Sequence, residues 1–184
     1  MHKNFALLEA LGMGFTAAGW IFMRRLYALS GYGLSGVLFG CVNNSVWESA
    51  KALLLPSLVW GLIELLCTGG GLRRLTVVKA ASLTVMTGCF IALCLWLSPD
   101  MNADFAGAVV CAAASAAFSL WLMKSRLPLE PLFPAAVCAL FLLLACYFCF
   151  TPFPPKNAVF ADRISGQYGI PPLSYDFGAH VMGE

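Results

Sequence analysis

One serine sits in a nucleophile-like pattern, Ser35 in Gly33-Leu34-Ser35-Gly36, followed by Phe39-Gly40. A serine nucleophile needs a general base in reach, most often a histidine. The chain has two histidines, His2 and His180, both near its ends. The pattern therefore reads as a flexible, close-packed loop. Three carboxylates, Glu9, Glu48 and Glu64, fall at or inside apolar runs. Ionisable groups there are costly and point to function by default. Each also has a structural reading. Glu48 suits a helix start, with Lys51 one turn away. Glu64 lies close enough to a helix end to snorkel toward Arg73 or Arg74, and Glu9 can do likewise near the start of the first helix. Two histidines exclude His-rich metal sites, and no phosphate-binding glycine loop followed by Lys occurs. No metal or cofactor is expected. Of eight cysteines, Cys146 and Cys149 have CxxC spacing but no polar context; cysteines in apolar runs behave as small hydrophobes.

The elements that position these residues follow from composition. Of 184 residues, 60% are hydrophobic and 11% charged, against about 25% charged in soluble domains. Mean hydropathy is +0.82. A chain of this size could not bury so much apolar surface in water. In lipid the backbone must be satisfied within helices or a closed barrel, and long continuous apolar runs favour helices. The expected fold is all-α, a polytopic transmembrane bundle with five crossings. The net charge of +2 comes without a clustered basic stripe, which speaks against nucleic-acid binding.

The crossings are expected at about 5–23, 45–67, 75–97, 105–123 and 132–150, forming a bundle over 1–150, with a polar Pro/Gly-containing tail over 151–184. The first is read as a retained helix rather than a cleaved leader, because Glu9 interrupts its apolar run and Arg24-Arg25 close it as a membrane flank would. The glycine-rich segment 26–42 is open to two readings, a re-entrant loop or a sixth short span. Ser45-Val46-Trp47-Glu48 fits a capping box, and Pro56 should kink the second helix. Ala108, Ala112 and Ala116 allow close helix packing. In the tail, Asp162 suits an Asx turn, with Gly166 and Gly169 at positive-φ positions.

With five crossings, Lys3, Arg73, Arg74, Lys79, Lys124 and Arg126 share one side, and Arg24, Arg25, Lys51, Lys156 and Arg163 the other. Lysine and arginine in long tails count for little. The N-terminus is expected in the cytoplasm of a bacterial cell and the tail outside. That outer face would gather Arg24, Asn43, Asn44, Trp47, Glu48, Asp104, Asp162 and Tyr168 as a candidate site, in which an Arg–carboxylate pair is plausible.

Two motifs carry a resemblance. Val42 to Lys51 reads VNNSVWESAK, and Pro154 to Ile170 reads PPKNAVFADRISGQYGI. They resemble a VNESVWEHLK-like signature and a C-terminal DPxTGxYGI-like signature in an uncharacterised family of small bacterial multi-pass membrane proteins, a domain of unknown function. The resemblance spans nearly the whole chain. It implies five helices with both motifs on one face, and no established activity. This chain departs from it at three positions: Arg24 where the family tends to have His, Asn44 where it has Glu, and Ser49 where it has His. If that His/Glu/His set binds a metal or relays protons, this chain has lost or rebuilt it, with Arg24 standing against Glu48. The segment GLSGVLFG also resembles the serine segment of rhomboid intramembrane proteases, but it follows a single crossing and lacks the later histidine.

The first expectation is a non-enzymatic membrane protein that binds a membrane lipid, a small ligand or a partner membrane protein at this outer face, and is able to form a homo-oligomer. A transporter or substrate-capture subunit is one alternative, with Pro56 and the glycine-rich loop as broken-helix elements. A lipid-acting enzyme is another, and requires Glu48 and Asp104 to meet around a pocket.

Overall fold

The computed structural model describes residues 2–68, 71–96 and 100–171. The helices run α1 His2–Leu29, α2 Leu34–Phe39, α3 Val46–Thr68, α4 Leu72–Trp96, α5 Met101–Lys124 and α6 Phe133–Cys149, with a 3-10 turn at Glu130–Leu132 before α6. All but α2 belong to the five segments long and apolar enough to cross a membrane. The six residues of α2 rise about 9 Å, far short of a hydrocarbon core of roughly 30 Å. Segment 26–42 is therefore not a sixth span. It is the end of α1, a turn at Gly31 and Tyr32, both at positive φ, and α2 folded back on α1. Gly36 permits that return, since a Cβ there would lie 2.7 Å from Tyr27 Cα.

The first helix is longer than its sequence suggested. Arg24 and Arg25 lie within it, five and four residues before its end. Nothing in RRLYAL breaks a helix, and the two neighbours face different surroundings: Arg25 is exposed and Arg24 turns toward the other helices. Likewise α5 starts at Met101, capped by Asp100, whose carboxylate accepts from Ala103 N at 3.0 Å. Asp104 thus falls in its first turn.

α1 packs against α3 and α5, and α4 packs against the same two helices, so the four close a ring around one axis. α6 lies outside it, against α4. Each ring helix shows that axis a line at three- and four-residue spacing, the period of one helix face. Glu9, Gly12, Thr16, Trp20 and Arg24 come from α1, and Ser49, Leu53, Ser57, Trp60 and Glu64 from α3. α4 adds Lys79, Ser82, Met86, Phe90 and Cys94. On α5 the series is Asp104, Ala108, Ala112, Ser115 and Ser119, and Ala108, Ala112 and Ala116 are buried as close packing requires. The axis is apolar at its middle, around Trp20, Leu53, Phe90 and Ala108, and charged toward both ends.

α3 continues through Pro56 without interruption. α1 makes room for the proline ring at Gly19, where an added Cβ would lie 2.6 Å from Pro56 Cβ and Cγ. Gly19→Ala is expected to cost about 1–3 kcal/mol through overpacking. Gly88→Ala, where a Cβ meets nothing within 4 Å, should gain up to about 1 kcal/mol from helix propensity. Thermal unfolding in detergent checks both, and an unchanged Gly19→Ala would contradict the α1–α3 contact.

Candidate functional site

At the end of the bundle where α6 finishes, the capping serine of α3 behaves as its sequence suggests: Ser45 Oγ accepts from Glu48 N at 3.2 Å. Glu48 does not close the box. Its carboxylate reaches past the cap to Val42 N at 3.0 Å, while Ser45 N donates to Asn43 Oδ1 at 3.0 Å. Glu48 is buried and fully engaged. Lys51 Nζ lies 3.0 Å from its Oε2, and Thr151 Oγ1 donates to its Oε1 at 2.7 Å. Lys51, also buried, donates to Thr151 Oγ1 at 2.8 Å. The chain leaving α6 is thereby strapped to the start of α3.

Beside this strap lies a closed circuit of five residues. Arg24 Nη1 donates to Ser49 Oγ at 2.6 Å, and Ser49 Oγ to Asp104 Oδ2 at 3.3 Å. Asp104, completely buried, is clasped by both terminal nitrogens of Arg163, with Nη1 3.1 Å from Oδ1. Arg163 Nε donates to Asn44 O at 3.1 Å, and Arg24 Nη2 to Asn44 Oδ1 at 2.7 Å. α1, α3, α5, the segment before α3 and the tail are tied by one loop of hydrogen bonds. Arg24 does not stand against Glu48, as the sequence suggested; it bonds the neutral Asn44 and Ser49. Positions 24, 44 and 49, the three departures from the resembled motif, are therefore direct neighbours.

The tail from Thr151 to Pro171 folds over this circuit. Asp162 forms the expected Asx turn, accepting from Ile164 N at 2.7 Å and Ser165 N at 3.0 Å. Its other oxygen accepts from Asn44 N at 3.1 Å. Burial opposes its charge, but the three N–H donors and the Arg163 charge outweigh it and hold its pKa below the ordinary value. Gly166 and Gly169 have φ of 71° and 75°, as the turn requires. Trp47 N donates to Val159 O at 3.0 Å, and its ring packs on Phe150 and Phe160 with centroids 5.3 and 5.4 Å away. Trp47 Nε1 is buried and has no partner among the described residues. Asn43 Nδ2 donates to Gly169 O at 2.8 Å.

Of the eight residues singled out from sequence, six meet at this end of the bundle through side-chain hydrogen bonds, and Trp47 joins them through its backbone N–H and ring packing. Tyr168 does not join through its side chain; its backbone bridges Ala161 and its ring stays 42% exposed. Lys51, Thr151, Arg163 and Ser49 complete the arrangement; of these the sequence tied only Lys51 to its partner, Glu48 one turn away. The signal for Arg163 was Asp104, a helix-start carboxylate needing a cation. Glu48 and Asp104 belong to separate ion pairs. Among the described residues no group of three or more His, Cys, Asp or Glu could hold a metal.

Toward the other end lies a second cluster. Glu64 does not snorkel to Arg73 or Arg74. Its carboxylate is completely buried against Lys79 and accepts from Trp60 Nε1 at 3.0 Å. Lys79 also lies 2.6 Å from Oε1 of Glu9, itself 5% exposed and bonded by Ser119 Oγ. Arg74 instead satisfies carbonyls in the last turn of α5 and in the chain just beyond it, Leu122 O and Leu127 O, both at 3.0 Å.

Asp104→Ala or Arg163→Ala alone should cost about 3–5 kcal/mol by stranding a buried charge. The double variant should cost less than their sum, and additive losses in thermal unfolding would contradict the pairing. The acid response of the tail has a definite sign. A carboxylate with a lowered folded pKa stabilises fully above its unfolded pKa of about 3.9, and that contribution is lost as pH falls through the folded value. Resistance of the tail to pepsin should be flat down to about pH 4 and fall below it, whereas Asp162→Ala should be cleaved faster above that pH.

No curated protein and no solved structure matches the chain. A family model does, over residues 10–170, described as Family of unknown function (DUF6512). Those residues hold all five crossings but the start of α1, both motif segments and every residue of the circuit around Asp104. The chain belongs to this family of unknown function.

Proposed function

We propose that this membrane protein is a non-enzymatic binding protein whose folded tail presents a fixed face to a partner membrane protein. The observation that carries the reading is the saturation of the network beneath that face. Glu48 is bonded to Lys51, Thr151 and Val42, and Asp104 to Arg163 and Ser49. A general base needs a free basic site in reach of a substrate, and these carboxylates spend their oxygens on holding the tail down. Ordering a chain segment is entropically costly, so anchoring it this firmly points to a use for its outer surface.

That surface is unusually apolar for a loop. Ile164, at the tip of the turn, is 79% exposed, and Tyr168 and Ile170 are 42% and 41% exposed. Apolar groups gathered on a rigid polar base suit a protein contact. A preordered face also reduces the ordering cost of association.

The charges support a cytoplasmic N-terminus. Arg24, Lys51, Lys79 and Arg163 are engaged in the interior networks. Setting them aside leaves Lys3, Arg73, Arg74, Lys124 and Arg126 against Arg25 and Lys156. Five against two favours the first side as cytoplasmic and puts the cap outside.

A photo-crosslinking residue at Tyr168 in living cells checks the reading. The expected result is one adduct of fixed mass, lost when Ile164→Asp is added while the protein still reaches the membrane. No adduct, or the same adduct in both forms, would overturn it.

A further inference from the structure

The cluster of Glu9, Glu64 and Lys79 has no part in the outer face. Glu9 is one turn inside the start of the first crossing, Glu64 is four residues from the end of α3, and Lys79 is seven residues into α4. All three lie within spanning segments, in the half of the bundle opposite the tail. Two carboxylates there face one ammonium. Trp60 and Ser119 add neutral donors, and no further charged side chain is bonded to the group among the described residues. An uncompensated charge in a membrane interior is costly.

A cavity adjoins the cluster on the bundle axis. Its volume is about 30 Å³; Glu9, Thr16, Ser57, Lys79, Ser82 and Ser115 make part of its wall polar, and apolar side chains such as Leu83 and Met86 make the rest. A water-sized occupant needs roughly 10–15 Å³ of such space, so the cavity has room for one or two small species. Hydroxyl oxygens reach it from three directions. Thr16 Oγ1 and Ser57 Oγ are 3.2 Å apart, and Ser115 Oγ donates to Ser82 O at 3.3 Å. Hydroxyls keep lone pairs for a second partner when they donate elsewhere.

The pairing inside the cluster is uneven. Lys79 lies against Oε2 of Glu64, and Glu64 Oε1 also has the indole of Trp60. Glu9 receives Lys79 and Ser119 on one oxygen, Oε1. Among the described residues its other oxygen, Oε2, receives no hydrogen bond, although the side chain is 95% buried, being 5% exposed. Glu9 is thus a buried, half-partnered carboxylate in the wall of a polar cavity, beside a charge count one cation short.

We propose that this cavity is a binding site for one dehydrated monovalent metal cation of about sodium size, held by Glu9 with the hydroxyls of Thr16, Ser57 and Ser115. Hard cations take oxygen ligands, and these are carboxylate and hydroxyl oxygens. One positive charge balances the group. The apolar packing of Trp20, Leu53 and Phe90 closes the axis above the site, so the ion exchanges with the side of the membrane that holds the N-terminus.

The test is thermal unfolding of the full chain in detergent, with sodium chloride exchanged for choline chloride at constant ionic strength. At sodium about tenfold above Kd, Tm should rise by roughly 3–5 °C. Ser115→Ala and Thr16→Val, which keep the charges, should each need several-fold more sodium for the same shift. Glu9→Gln should abolish the shift, while Ile164→Asp on the outer face should leave it intact. A Tm indifferent to sodium overturns the site, as does a shift that survives Glu9→Gln. A Tm that follows pH but not sodium also overturns it, and would identify the missing charge as a proton.

Discussion

Asp104 is a carboxylate with no exposed surface, set in the first turn of a membrane-spanning helix. Such a group must be met by a cation and by hydrogen bonds, or its burial would cost several kcal/mol. The nearest cation in sequence that meets it is Arg163, 59 residues later in the tail. That one requirement folds the tail back over the bundle. It also fixes where α5 begins, because Asp104 must face the axis, and it orders the segment before α3, because Arg163 Nε takes the carbonyl of Asn44. Arg24 follows, held by the side chains of Asn44 and Ser49.

The same constraint explains why the bundle is apolar at its waist and charged toward both ends. Ionisable side chains enter from each side by about one or two turns and find partners there. Deeper, the axis is filled by Trp20, Leu53, Phe90 and Ala108. The two charged layers differ in kind. The layer under the tail saturates its carboxylates through side chains, backbone and tail. The opposite one shares a single ammonium between two carboxylates and borders a small cavity. A saturated layer suits a structural base for a binding surface; an unsaturated one suits a small exchangeable ligand.

Much of this was legible in the sequence. Five long apolar runs give five crossings, since lipid leaves the backbone little alternative to helices. Ser45 marked the start of α3, and Asp162 with Gly166 and Gly169 marked the turn in the tail, because these depend on chemistry within a few residues. What stayed hidden was depth and partnership across the fold. Arg24 and Arg25 read as one membrane flank, but adjacent helix positions point about 100° apart, so one joins the axis and the other the surface. Lys79 counted toward the same side of the membrane as Arg73 and Arg74. Two turns further into α4 it meets Glu9, 70 residues away. Periodicity tells which face a residue occupies, and not what another helix brings to the same level.

The central claim is that charge pairing at the end of the bundle where α6 finishes holds the tail as a rigid cap. Backbone hydrogen exchange of the full chain in nanodiscs, wild type beside Asp104→Asn, tests it most directly. The amides of Asn44, Trp47, Asp162 and Gly166 donate bonds that tie the cap. The account predicts strong protection of these amides in the wild type and its loss in the variant, with the spanning helices unchanged. Rapid exchange over 157–171 in the wild type, or equal protection in both forms, would contradict it.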